Sequence, residues 1–520
     1  MVKNITNLAR LLNIAVTLAR YDALFPLIQI GIAPWMLKTM GLIAWFFPKP
    51  HDLGTRQGQH LAAALTQLGP SFIKFGQSLA TRSDLIGEEI AADLSALQDK
   101  LPPFSSAIAR AAITHELGEP VETLYENFTD EPVAAASIAQ VHFATTTEGA
   151  AVAVKVLRPG IEEAFAKDLA LFAWIAEKVE QFRPDLRRLK PREVVKTFAG
   201  IVAIEMDLRL EAAAASELAD NFAGDDTFKV PTIDWTRTGQ RVLTLERING
   251  IPIDERATLI QAGIDPEDVL QKAACAFFRQ MFRDGFFHGD MHPGNLFVAP
   301  DGGLIAVDFG IMGRLDAPTR RYLGEMLLGF LDGDYARVAD VHFRAGYIPA
   351  DQPRDIFMQA CRAIGEPILG LPMNEISLAR LLGQMFAVTE TFQMETQPQL
   401  LLLQKTMMVA EGVGRTLNPN VNIWELARPL IETWMAEQLG PEARITDVAQ
   451  DAIKGIERLP RFVANVERLA EVLAEKGHKL HPDTLSRLLE GNFAAPQPSR
   501  LPLWIICALL AGILAALLKQ

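Results

Sequence analysis

The stretch from His288 to Gly310, HGDMHPGNLFVAPDGGLIAVDFG, constrains this chain more than any other part of its 520 residues. Two short apolar runs, LFV and LIAV, flank the turn sequence PDGG, so the middle of the stretch reads as a β-hairpin. That hairpin leads from a loop holding Asp290 and Asn295 to Asp308 in a D-F-G triplet. Phosphoryl transfer needs such groups: a base to orient the accepting hydroxyl or water, and oxygen ligands to hold magnesium against the phosphates. Alone, either His-Gly-Asp or D-F-G would usually mark an ordinary turn. The expectation rests on their order around a strand pair.

Asp290 and Asn295 stand five positions apart, the D-x-x-x-x-N spacing of a kinase catalytic loop. Upstream, Lys155 lies within VAVKVL, which matches the V-A-I-K strand whose lysine reaches nucleotide phosphates. A strand lysine more often points to solvent, but this one precedes a helical region and a catalytic loop. Its carboxylate partner is expected from the helix around residues 200–215, which offers Glu205, Asp207 and Glu211, the last two sharing a face at i,i+4. The segment expected to cover the phosphates is Val133-Ala134-Ala135-Ala136-Ser137-Ile138-Ala139-Gln140-Val141. Alanine methyls stand there where the glycines of G-x-G-x-x-G would let the backbone approach freely. A helical pattern resumes near Pro318, leaving no long activation segment and no A-P-E, so the usual docking shelf for a peptide substrate is expected to be missing.

Lys plus Arg number 50 against 63 Asp plus Glu, a net charge of -13, so nucleic acid is not expected as a partner. Cys275, Cys361 and Cys507 are far apart and form no C-x-x-C, which argues against a disulfide framework or zinc ribbon and for a reducing compartment. The nine histidines make no zinc spacing, so any metal should be held by oxygen. A mean hydropathy of +0.13 is high for a wholly soluble chain, and the excess sits at the two ends. Residues 501–518, LPLWIICALLAGILAALL, are uncharged and would make a helix about 27 Å long, so a C-terminal transmembrane helix is expected. Residues 23–47 are apolar but broken by Pro26, Pro34 and Lys38 and rich in Trp and Phe, which reads as a membrane-interfacial segment. Arg10 and Arg20 interrupt the preceding stretch and disfavour a cleaved signal peptide.

Periodicity predicts helix through 57–101, a second helix around 105–117, strands from Val133 through AVAVKVL, helices at 161–182 and 192–221, and a strand at 242–248. A long helix should start at Pro266 with Asp265 as its cap, and residues 318–489 read as helical with breaks near Gly333, Pro349, Pro367, Pro372 and Asn418. The fold class is thus α+β, a bilobal kinase-like fold with a helical N-terminal extension and a helix-rich C-lobe. The expected divisions are 1–56, membrane-interfacial; 57–125, helical extension; 126–250, N-lobe; 251–440, C-lobe; 441–499, helical tail; and 501–518, membrane anchor.

Lys74-Phe75-Gly76-Gln77, the loop AAASIAQVH, Lys155, Glu205-Met206-Asp207, HGDMHPGN and DFG occur in that order. Together they resemble the UbiB family of atypical protein-kinase-like proteins over roughly residues 60–420. The resemblance implies that the K-x-G-Q helices pack over the place where a protein substrate would lie, with Lys74 contacting Glu205 and Asp207. It implies that Glu211 pairs with Lys155, that Asp290 is the catalytic aspartate, and that Asn295 and Asp308 bind Mg2+ beside ATP. It also implies a role in ubiquinone biosynthesis at the cell inner membrane, with the catalytic body on the cytoplasmic side. Membrane lipid, polyprenylphenol or quinone precursors and the other biosynthetic enzymes would be partners, and a homodimer is possible. No dinucleotide fingerprint, flavin signature or facial triad supports a hydroxylase. Two alternatives stay open: a small-molecule phosphotransferase, since HGDMHPGN is similar to the loop of aminoglycoside and choline kinases, and a lipid-binding scaffold that uses nucleotide only to set conformation.

Overall fold

The computed structural model describes residues 2–26, 42, 47, 54–80, 86–95, 97, 102–182, 191–367, 388, 391–394, 397–420 and 423–439. The expected membrane helix at 501–518, the tail at 441–499 and most of the interfacial segment 23–47 lie outside these residues. Among the described residues no helix is long and apolar enough to cross a membrane.

The N-terminal extension comprises α1 (Val2–Arg20), α2 (Gln57–Leu68), α3 (Pro70–Ala80) and α4 (Glu88–Ser95). The helix expected through 57–101 breaks at Gly69, whose N–H bonds back to the Leu65 and Thr66 carbonyls at a φ of 111°. Pro70 then opens α3, where its missing N–H costs no helical bond. Leu61, Leu65, Leu68 and Phe72 from these helices share one core with Phe165, Phe172 and Phe198 and with Ala139, Leu157 and Leu243 of the sheet described next. Gly76 permits the close packing, because a Cβ there would lie 2.6 Å from Leu97 Cδ1 and 2.7 Å from Leu65 Cδ1.

The first lobe follows as α5 (Ser106–Leu117), β1 (Tyr125–Phe128), β2 (Ala134–Ala135), β3 (Ala139–Thr146), β4 (Ala151–Leu157), α6 (Ile161–Phe182), α7 (Pro191–Glu205), α8 (Leu208–Asn221), β5 (Phe228–Lys229) and β6 (Val242–Glu246). Its antiparallel sheet has the order β1-β3-β4-β6, with β2 paired to β3. Val152, Val154 and Val156 alternate onto the face that packs with Ile113 of α5. Leu157, on the opposite face, joins the core shared with the extension. The helix expected over 192–221 is two helices, because Asp207 is extended and its side chain caps α8 by accepting from Arg209 N–H at 3.2 Å.

The second lobe holds β7 (Ile251–Pro252), α9 (Pro266–Phe278), β8 (Phe286–His288), β9 (Leu296–Val298), β10 (Leu304–Ala306) and β11 (Met312–Arg314). Helices α10 (Ala317–Leu331), α11 (Tyr335–Arg344), α12 (Arg354–Gly365), α13 (Pro398–Leu417) and α14 (Ile423–Leu439) complete it. Asp265 caps α9 by accepting from Glu267 N–H at 3.0 Å, with Pro266 at the first position, as expected from the sequence. β9 and β10 form the anticipated hairpin in the register Leu304↔Val298. β5 lies in the stretch assigned to the first lobe, yet it pairs in parallel with β10 and so belongs to this second sheet. A π-helical turn, Arg279–Asp284, extends α9 and ends at Gly285 in the left-handed region at φ 63°. Its buried Gln280 accepts the backbone N–H of His288 at 2.9 Å, and β11 pairs with β8 on the other side, so the entry to the Asp290–Asn295 loop is fixed twice.

Candidate active site

Lys155 sits mid-strand in β4, between Val141 of β3 and Leu243 of β6. Its ammonium donates to Glu211 Oε1 and Oε2 at 2.8 and 3.0 Å and to Asp308 Oδ1 at 3.0 Å. Of the three carboxylates available in the sequence, Glu211 reaches Lys155 because the cap at Asp207 starts α8 and puts Glu211 in its first turn, only 8% exposed. Burial opposes the charge on Lys155, but Asp308 and Glu211 outweigh it and raise the lysine above its ordinary pKa. Lys155, helped by Lys74, holds the Asp308 carboxyl well below the usual carboxylate range. Burial pushes the Glu211 carboxyl upward despite Lys155.

Asp308 has a φ of 63°, a left-handed conformation that costs a residue with a Cβ about 1 kcal/mol or more. Its neighbour Val307 is tied down by its N–H to the Asn295 carbonyl at 2.9 Å, so the D-F-G turn and the Asp290–Asn295 loop hold one another. Asn295 donates its side-chain N–H to the Asp290 carbonyl at 3.0 Å and to Asp290 Oδ2 at 3.3 Å. This turns the Asn295 amide oxygen away from Asp290, toward a role as an acceptor or cation ligand. Lys405 of α13 lies 3.3 Å from the other oxygen of Asp290. Nothing in the sequence signalled Lys405, which stands 115 positions from Asp290 on a helix whose pattern reads only as packing.

His288 is buried and accepts the Asp290 backbone N–H at Nδ1, 3.1 Å away. Its proton is therefore on Nε2, which donates to the Val307 carbonyl at 3.1 Å. The ring is a neutral strut between the Asp290–Asn295 loop and the D-F-G turn. Burial lowers its pKa below the ordinary histidine value. In protein carrying isotope-labelled histidine, the His288 imidazole should titrate below the ordinary histidine value, whereas an NMR titration at or above the unperturbed value of about 6.5 would contradict this arrangement. His292 serves the same loop differently, its Nδ1 accepting from Gly294 N–H at 3.2 Å.

Ala134 and Ala135 pair with Val141 and Gln140, and Ala136 N–H closes the turn onto the Ala139 carbonyl at 2.8 Å. Arg158 clamps this turn from beyond β4 by donating to the Ala136 carbonyl at 3.1 and 3.3 Å and to the Pro102 carbonyl at 2.8 Å. Val133 is exposed, while Ser137, Ile138 and Ala139 are buried. Gln140 corrects one expectation. Strand alternation sends its side chain to the face opposite Lys155, where it bonds both backbone groups of Phe104 and donates to His142 Nε2 at 2.8 Å. That leaves His142 Nδ1–H to donate to the Thr129 carbonyl at 2.8 Å, and the ring stacks on Phe128 as a packed strand residue.

In the extension, Lys74 meets Glu205 at 3.3 Å, and both side chains are largely buried. Gln77 donates to the Leu97 carbonyl at 3.2 Å. Asp207, expected beside Lys74, is engaged by the Arg209 guanidinium at 2.8 and 2.7 Å, because its capping role turns it along α8.

The cleft thus gathers Lys155, Glu211, Asp308, Asn295 and Asp290, with carboxylates outnumbering Lys155. Among the described residues no three His, Cys, Asp or Glu side chains form a closed metal cage. Asp308 and Asn295 suit a magnesium ion that takes its remaining ligands from phosphate and water.

A family model described as the ABC1 atypical kinase-like domain matches residues 96–342, and one described as the UbiB helical domain matches residues 361–422. A probable protein kinase UbiB of Marinobacter nauticus is 42% identical over 465 residues, covering 88% of this chain and 84% of its own length. The chain belongs to the UbiB family. Two further UbiB relatives agree: that of Pseudomonas entomophila is 40% identical, with 90% of this chain and 87% of its own covered, and that of Shewanella piezotolerans is 39% identical, with 87% and 84% covered. Among solved structures, the erythromycin complex of Rv3197 from Mycobacterium tuberculosis superposes with a TM-score of 0.52 at 26% identity, covering 71% of this chain and 94% of that one. The UbiB assignment accounts for the kinase-like lobes and for the helical segment that delivers Lys405.

Proposed function

We propose that this UbiB-family chain binds magnesium-ATP and works as an atypical kinase or ATPase supporting ubiquinone biosynthesis at the cell inner membrane. The observation that carries the reading is the junction of Lys155 with both Glu211 and Asp308 within 3.0 Å, beside the Asp290–Asn295 loop. In this reading Lys155 offsets phosphate charge, and Glu211 orients it. Asp308 and Asn295 would hold magnesium, which supplies charge neutralisation at the phosphates. Asp290 orients the accepting oxygen, water or a substrate hydroxyl, and His288 keeps its backbone in place. The alanine turn, clamped by Arg158, covers the nucleotide with a stiffer backbone than a glycine loop offers.

Lipid or a polyprenylphenol precursor would reach the protein from the membrane, held there by residues 501–518 and 23–47, with other biosynthetic enzymes as partners. The buried Lys74–Glu205 pair favours this over a small-molecule phosphotransferase, because it fixes an N-terminal helix against the end of α7 beside the site. Deleting the protein should deplete quinone and accumulate an early polyprenylphenol, measured by lipid chromatography and mass spectrometry. Normal quinone in the deletion strain would overturn the biosynthetic role.

A further inference from the structure

Asp290 is a carboxylate that must face a polyanionic nucleotide, and its own loop brings it no cation. The loop residues following it are Met291, His292, Pro293, Gly294 and Asn295, and His292 is committed to the turn through Gly294 N–H. The cation comes instead from α13, where Lys405 Nζ lies 3.3 Å from Asp290 Oδ1 while Asn295 takes Oδ2. The contact is built into the packing. The buried Thr406, next in the chain, shares its hydroxyl proton between the Leu402 carbonyl of its own helix at 2.9 Å and the Gly289 carbonyl at 3.1 Å. A Cβ on Gly289 would lie 3.0 Å from Leu402 Cδ2, so α13 lies directly on the loop. Both partners of the ion pair are about one-third exposed, at 31% and 34%, which leaves room for an acceptor beside them.

We propose that Lys405 is a positioning residue for Asp290, a counter-cation through which the UbiB helical segment completes the catalytic loop of the kinase-like domain. It fixes the Asp290 carboxylate between two donors, oriented for the accepting oxygen, a service to the chemical step and not to nucleotide affinity. This deepens the proposed ATP-turnover reading and rests on it.

The test uses the full chain in lipid vesicles with magnesium-ATP, measuring ADP release. Lys405→Met is expected to lower kcat about 10- to 100-fold while the KM for ATP stays within about threefold, and Lys405→Arg should restore most of the rate. In an Asp290→Asn background Lys405→Met should cost nothing more, since Lys405 acts through that carboxylate. Unchanged kcat in Lys405→Met, or independent multiplying losses in the double variant, would overturn the inference. If Lys405→Met fails to fold, Lys405→Gln carries the same expectation. Absence of ADP release by the unmodified protein would instead remove the ATP-turnover reading itself.

Discussion

Asp290→Asn is expected to reduce ADP release from the magnesium-ATP-loaded protein by about a thousandfold, with ATP affinity within about threefold of the parent. The magnitude is that of a lost group orienting or accepting a proton in the chemical step, typically 10²- to 10⁴-fold. Asparagine is nearly isosteric, so the approach of Asn295 to this side chain and the backbone bond from residue 290 to His288 Nδ1 can persist. What changes is chemical: the side chain loses its charge, its capacity to accept the acceptor proton and its ion pair with Lys405. Isothermal titration with ATP alongside a coupled ADP assay separates the two quantities. A variant that binds and turns over ATP normally would remove Asp290 from the chemistry.

Lys155→Met should act at the other end of the reaction, weakening ATP binding about 10- to 100-fold as well as abolishing turnover. Its ammonium is the cation between Glu211 and Asp308, and without it those two carboxylates confront the phosphates unopposed. The fold should survive. Glu211 is already pushed toward its neutral form by burial, so it can take a proton in place of remaining an isolated buried anion. Direct titration of nucleotide into the folded variant tests this, and parental affinity would show that Lys155 does not contact the phosphates.

The residues of this cleft were legible in the sequence to different depths, for physical reasons. Asp290, Asn295 and Asp308 were readable because a short hairpin links them, and local turn chemistry leaves few ways to join such segments. Lys155 was readable because period-2 valines mark its strand. Periodicity leaves Glu205, Asp207 and Glu211 open, since the choice depends on a helix cap that splits 192–221 in two, and only the family resemblance points to Glu211. Gln140 lies off the cleft because strand alternation sends alternate residues to opposite faces. The π-turn at Arg279–Asp284, the β8–β11 pair and Lys405 left no sequence signal, since each is fixed by tertiary packing over long separations. The apolar run at 501–518 was plain in composition but lies outside the described residues.

The most direct measurement of the central claim is magnesium-dependent ADP release by the full chain in vesicles, with and without a polyprenylphenol, using Asp290→Asn as the blank. Turnover that requires magnesium, rises with the phenolic lipid and falls about a thousandfold in the variant is the predicted result. Turnover equal in the protein and in Asp290→Asn, or tight ATP binding with no ADP formed under any lipid condition, would contradict it.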